Sequence, residues 1–527
     1  MILFNGIIHT MDESCPFSEA VAVCGQRIVA VGNSEEVRKL ATKGTLMIDL
    51  QGKTVVPGFT DAHIHLVSYS LVADQVDLND ARTLEEAVER VRRKVVEHGE
   101  GKMILGRGWD SNRWQRNPRK EDLDAISPRN PVALHSKDGH TLWVNSFALS
   151  QTGVKRDRTQ PKGGEIVKDE ETGEPTGLLR EKAQALMERE IPEPTVEQIE
   201  ASLLKAIKEL QRVGITAVTD FEGSIPFRAF QNLLAQGKLG LRVSLMPPAE
   251  DIDAIVKLGI QSGFGNEKLR IAGVKILADG ALGSATAAML DPYEDEPANR
   301  GMMRFGWDEL CELVHRAMSN GLAVAVHCIG DKANRTLLDI FEANLNSTSE
   351  MRLRHRIEHA QHLTEVDVKR FGKLGIVASV QPIHIALDRD TMKRRLGGRG
   401  RWAYPFRSLL DNGAVLAFGS DAPVERFNPF LGIYTAVTRR RSGNDEDCWY
   451  AEECISVEEA ARAYTVGGAF AACEKDQRGT ISRDKLADMV VLSKNVFEIP
   501  VEQIMEVEVE MTIFDGEIVY KRATQEE

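Results

Sequence analysis

The chain has 527 residues, 42% of them hydrophobic and 28% charged, which excludes a disordered chain and fits several domains or one large barrel with additions. The 66 basic and 79 acidic residues leave a formal net charge of −13, which argues against a nucleic-acid binder. No apolar run reaches the roughly 18 residues of a membrane span. Seven cysteines without a Cys-x-x-Cys pair point to a reducing cytoplasm rather than a disulfide framework. The opening residues read as a strand entering a turn, with no charged region of the kind that starts a signal peptide.

In chain order, residues 1–56 read as short strands. Ile2-Leu3-Phe4 and Ile7-Ile8-His9 flank Asn5-Gly6, a hairpin signal. Ala20 to Val23 and Ile28 to Val31 are two further apolar runs. Residues 476–527 look alike, with Asp488 to Leu492 and a hairpin turning at Asp515-Gly516. One small β-sandwich built from both chain ends is the economical reading.

Between them, over 57–475, short apolar runs alternate with helical patterns. Eight candidate strands are Val56 to His65, Thr216 to Asp220, Arg242 to Met246, Ile271 to Leu277, Ala323 to His327, Arg356 to His359, Val377 to Gln381 and Val415 to Asp421. Eight βα units predict a TIM-type (β/α)8 barrel, with an open doubly wound sheet as the alternative. The long gap after the first strand predicts an insertion at about 100–180, near the barrel mouth. Two basic runs, Lys393 to Arg401 and Arg439 to Arg441, read as solvated loop charges; their functional alternative is an anion clamp.

The chemistry lies at strand ends. His63 and His65, two apart in a strand, point to one side and can reach one ion. His327, His359 and Asp421 close three other candidate strands, and catalytic groups of such barrels come from the carboxyl ends of strands. Lys275 sits inside an apolar strand, where an ammonium is costly; a pair with Asp279 would be the ordinary explanation.

Pro57 to His65, Val326-His327, Glu358-His359 and Gly419-Ser420-Asp421 together resemble the amidohydrolase superfamily. Gly108-Trp109-Asp110, the run Asp138 to Ser146, Val274 to Gly280 and His355 to Gln361 are similar to the branch that includes N-substituted formamide deformylases. The resemblance implies one or two divalent ions, zinc or else manganese, iron or cobalt, on His63, His65, His327, His359 and Asp421. It also implies a CO2-derived carbamate on Lys275 as a bridge. Cytosine-deaminase-like members carry a Glu where this chain has Gly330, which disfavours that chemistry. The expected activity is hydrolysis of an N-acyl or N-formyl amide, with Asp421 as proton shuttle. Cyclic-amide hydrolysis of the dihydroorotase or hydantoinase type and a non-catalytic metal-binding regulator are the alternatives. Trp109, Asp110, His140, Asp279 and Gln381 are candidate substrate contacts. The expected partner is a small-molecule amide, with no nucleic acid or membrane involved, and the expected assembly is a homodimer.

Overall fold

The computed structural model describes residues 1–527 except 112, 113, 115, 138, 345–352, 442–446 and 524–527. Asp138 of the branch motif therefore lies outside the described residues. The chain divides into two compact units, Met1–Tyr69 with Leu203–Glu527, and Ser70–Ser202.

The first unit is a TIM-type barrel carrying a small β-sandwich. Its eight barrel strands are β1 (Phe59–Ile64), β2 (Ile215–Asp220), β3 (Arg242–Leu245), β4 (Val274–Leu277), β5 (Val324–Cys328), β6 (Arg356–His359), β7 (Val377–Val380) and β8 (Leu416–Phe418). Parallel ladders join β1 to β2 to β3, and β4 through β8 in order. The β3–β4 seam is thin. Leu269–Ile271 pairs with β3, and the chain then steps across Ala272-Gly273 before β4 begins. A Cβ at Gly273 would lie 2.3 Å from the Ala323 carbonyl oxygen, so only glycine allows that step. The single run read from the sequence is thus two pieces, held to β3 by the Lys275 N–H donating to Pro247 O at 2.8 Å. The barrel closes between β8 and β1: Asp421 N–H donates to His63 O at 2.7 Å, and His65 N–H to Ala422 O at 2.9 Å.

Helices between the strands bury one stripe each. Trp307–Ser319 buries Leu310, Val314, Ala317 and Met318, the three-to-four spacing of an amphipathic helix. Glu365–Leu374 starts where the Thr364 side chain accepts from Asp367 N–H and stops at Gly375, whose φ is +67°. No helix among the described residues is long and apolar enough to cross a membrane.

The sandwich has one sheet from the start of the chain and one from both ends. In the second, Thr54–Pro57 pairs antiparallel with Met489–Leu492, and Val509–Phe514 continues to Glu517–Lys521 through Asp515-Gly516. Leu3, Ile8, Val55, Val491 and Ile513 share its core. Asn5-Gly6 does not make a hairpin. Ile2–Phe4 pairs with Ala20–Cys24 and Met47–Asp49, whereas Ile7–His9 pairs with Thr54–Pro57 in the other sheet. The dipeptide supplies a turn, with Asn5 at φ +57°, but the turn passes the chain between sheets.

Arg242 of β3 ties sandwich to barrel. It is 1% exposed and donates to Asp488 at 2.6 and 2.9 Å and to Asp515 at 2.9 Å. The two basic runs are solvated only in part. Arg395 pairs with Glu296 at 2.9 Å. Arg439 is fully buried and donates to the carbonyls of Trp449, Tyr404 and Ala403 at 2.6, 2.8 and 3.2 Å. Internal partners thus take up the charges of Arg395 and Arg439, while Lys393, Arg394 and Arg401 remain exposed.

The second unit is wider than the insertion read at 100–180. Its six-stranded sheet reaches back to Val76–Asp77, which pairs in parallel with Ile104–Trp109. Its core gathers Trp109, Trp114 and Trp143 with Ile104, Val132 and Leu134.

Candidate metal centre

Alternation along β1 sends Asp61 and His63 to one face, and His65 follows at the strand end. His63 is 1% exposed, and its Nδ1 lies 2.6 Å from Glu358 Oε2. That bond leaves Nε2 facing Asp421 Oδ1 at 3.6 Å and Lys275 Nζ at 3.5 Å. His65 Nε2 lies 3.4 Å from the same Asp421 oxygen. His359 Nδ1 meets Gln381 Oε1 at 2.7 Å, and His327 Nε2 meets Gly280 O at 3.0 Å. The His359 ring lies 4.9 Å from that of His63 and 4.5 Å from that of His327, centroid to centroid. Ligand atoms of His63, His359 and Asp421 all fall within 4.8 Å of one another.

Two atoms bound to one ion at about 2.0–2.1 Å in tetrahedral geometry stand about 3.4 Å apart. The Asp421 distances to His63 and His65 match that edge. The protonation states suit a cation as well. Burial, then the Lys275 charge, lowers His63 to about 3 and His327 to about 4, so both imidazoles are neutral near pH 7. Burial alone would raise Asp421, but His63 and His65 beside it hold it well below the usual carboxylate range. Burial likewise opposes Glu358, and Arg356 and His63 overcome it. The donor set is therefore neutral nitrogen plus carboxylate, which fits a divalent ion.

His359 has φ +71° and Asp421 φ +61°. Such left-handed conformations cost on the order of 1–3 kcal/mol in non-glycine residues and gather at functional sites. At His359 the reversal lets two adjacent residues, Glu358 and His359, both reach the cluster, which simple alternation would forbid.

Lys275 is buried, and burial lowers its amine to about 8, against the pull of Glu358 and Asp421. Its Nζ stands 4.0 Å over the Phe221 ring. It does not depend on Asp279. That carboxylate accepts from Ala288, Ile329 and Gly330 N–H at 2.9, 3.0 and 2.8 Å, and burial raises it to about 7. Asp279 thus fastens the loop after β5, with its Oδ1 3.7 Å from His327 Nε2. Gly330 has no room for a side chain: a Cβ there would lie 1.9 Å from Ala288 O.

Of the other candidate contacts, Gln381 orients His359. Trp109, Asp110 and His140 belong to the second unit. Trp109 is 4% exposed, donates to Leu134 O at 2.7 Å, stacks on Trp114 and borders the same cavity as Asp110. His140 is exposed and 3.1 Å from an equally exposed Glu181. Asp110 lines a cavity of about 240 Å³ with Asn117, Lys137 and Arg180. Sequence reasoning missed Glu358, Asp61 and His384. Asp61 accepts from His63 N–H, Ser420 N–H and Ser420 Oγ, which locks β1 to the loop after β8. His384 stacks on His359 with centroids 6.4 Å apart. Charged residues two apart in an apolar strand, Arg356 and Glu358, were the available signal.

A barrel with histidines and an ionised aspartate gathered at its strand ends has the architecture of a hydrolytic metal site. The chain belongs to the amidohydrolase family, whose sequence profile matches residues 46–520. It is 37% identical to Protein LONG AFTER FAR-RED 3 of Arabidopsis thaliana, over 94% of this chain and 88% of that one. Putative amidohydrolase YtcJ of Bacillus subtilis is 34% identical over 99% of both chains. The N-substituted formamide deformylase of Arthrobacter pascens is 28% identical over 99% of this chain and 98% of its own. A crystal structure of an uncharacterized metal-dependent hydrolase from Pyrococcus horikoshii superposes with a TM-score of 0.79 at 29% identity, covering 95% of this chain and 98% of that one.

Proposed function

We propose that this protein hydrolyses a carbon–nitrogen bond, that of a small N-acyl or N-formyl amide, giving a carboxylic acid and an amine. The observation that carries the reading is Asp421, an ionised carboxylate 3.6 and 3.4 Å from the ring nitrogens of His63 and His65. His63, His65, His327, His359 and Asp421 would hold one or two divalent ions, zinc first, with Lys275 joining them as a carbamate. A neutral Lys275 amine forms that group by bonding through Nζ to the carbon of CO2 and releasing a proton, and a value of about 8 leaves some amine neutral at pH 7. Bound there, a divalent ion would make water acidic enough to attack near neutral pH and would polarise the acyl oxygen. Asp421 Oδ accepts the proton from the attacking water and passes it to the amide nitrogen as the C–N bond breaks. An amine leaves poorly unless protonated, so the transfer is required. Glu358 and Gln381 keep His63 and His359 in one tautomer and orientation.

The formamide deformylase relative supports the acyclic substrate. The test is turnover of N-formyl amines, N-acyl amino acids and hydantoins by protein purified without chelator, alongside metal per chain by elemental mass spectrometry. Turnover of the acyclic amides with one or two equivalents of metal is expected. Turnover of hydantoins alone would replace the substrate class. Protein that takes up no metal and turns over nothing would leave a non-catalytic role.

A further inference from the structure

His65 is held differently from the other histidines of the cluster. His63, His359 and His327 each have an outer polar partner, respectively Glu358, Gln381 and Gly280 O. Among the described residues the polar partner of the His65 ring is Asp421, itself part of the cluster, and its ring neighbours are His63 and Phe221 at 5.7 and 6.3 Å. Its side chain is also 34% exposed, against 1% for His63, so packing holds this ring less firmly. More of its orientation then depends on how its backbone is held.

That backbone occupies an unusual position. Tyr69 N–H donates to His65 O at 2.8 Å, so His65 is the cap residue of helix Leu66–Ala73. A cap residue ordinarily satisfies the first free N–H groups with its own side-chain oxygen. An imidazole turned toward Asp421 cannot. The end of β2 and the turn after it do so instead. Leu66 N–H donates to Asp220 Oδ1 at 2.8 Å. Val67 N–H donates to Glu222 Oε2 at 2.7 Å, and Ser68 N–H to Glu222 Oε1 at 2.8 Å. Ser68 Oγ adds a bond of 2.5 Å to the same oxygen. On its other side the His65 N–H is fixed to Ala422 O.

We infer that Glu222, with Asp220, is a positioning residue for the metal centre: it caps the helix in place of His65 and so frees and aims that imidazole. The inference rests on the metal reading above. The test is a cobalt(II) titration of apo-protein, followed by visible absorption, in a double-mutant cycle of Glu222→Gln and His65→Asn. Glu222→Gln alone should weaken cobalt binding about 10-fold or more and alter the absorption bands, as loss of outer partners does. In the His65→Asn background it should cost nothing further. Its effect on apo-protein melting should be the same in both backgrounds, which separates positioning from folding. Ser68→Ala, which strips only the hydroxyl bond, should give a smaller loss in the same direction and covers the case of an unfolded Glu222 variant. Equal losses of affinity in both backgrounds, or none in the parent, would overturn the inference alone. A parent that took up no cobalt would overturn it together with the metal reading.

Discussion

Replacing Glu358 by glutamine perturbs two buried neighbours at once, and the two losses fall in different assays. The carboxylate takes the His63 Nδ1 hydrogen bond at 2.6 Å and faces the Arg356 guanidinium, and both it and Arg356 are 0% exposed. Glutamine keeps the size and one acceptor oxygen but not the charge. Loss of the outer partner of a ligating histidine weakens metal binding about 10–100-fold, or about 1.4–2.7 kcal/mol. Stripping the counter-charge from buried Arg356 costs about 3–5 kcal/mol of folding stability. The stability loss is the larger, so affinity must be read where the variant is still folded. Glu358 is held below its ordinary value, so its stabilisation is complete above about pH 4.5 and fades only as pH falls through the lower folded value. Chelator competition at pH 7 therefore reads the whole metal term, and urea unfolding of apo-protein reads the other. Glu358→Asp, which keeps the charge, should lose less stability than Glu358→Gln. Metal affinity within about twofold of the parent in a folded Glu358→Gln variant would refute the claim that this carboxylate sets His63 as a ligand.

Asp421→Asn should abolish turnover while circular dichroism stays unchanged, and substantial residual activity would remove the shuttle role. A lysine lowered to about 8 is increasingly neutral as pH rises through that value, so CO2-depleted protein should regain activity at fixed dissolved CO2 with half its plateau near pH 8; a pH-independent recovery would exclude Lys275 as the acceptor. Gly330→Ala should destabilise the protein by more than about 1 kcal/mol in urea, because the new methyl group meets Ala288 O while the residue's N–H is fastened to Asp279. Arg242→Met leaves Asp488 buried without its cation, whereas Asp515 keeps Lys268 at 2.8 Å, and should cost about 3–5 kcal/mol, visible as a lower urea midpoint.

The barrel and the cluster were legible because both rest on period-two patterns that end in a ligand-type residue. His63, His327 and Asp421 each close an apolar run, and the structure brings them together. Glu358 was not legible as a partner because alternation assigns it and His359 to opposite faces; the positive φ at His359 is a tertiary decision. Asn5-Gly6 announces a turn but not the strand that the next residues will join. Arg439 looked solvated because the carbonyls that bury it come from residues 403, 404 and 449, and sequence proximity suggests only the last. Trp109 was read as a candidate contact in a long connection, and its packing on Trp114 and Trp143 was not legible because it is set by the fold of the second unit.

The sheet shared by the two chain ends constrains how the protein is made. Thr54–Pro57 leaves the ribosome early, but its partner Met489–Leu492 follows 489 − 57 = 432 residues later. At roughly 5–20 residues per second that interval is about 20–90 s. Throughout it the Thr54–Pro57 edge, two valines among its four residues, stands unpaired on the side that Met489–Leu492 will take. Vectorial synthesis therefore exposes this strand to other nascent chains for longer than most of the barrel, and slow codons late in the message would lengthen that exposure.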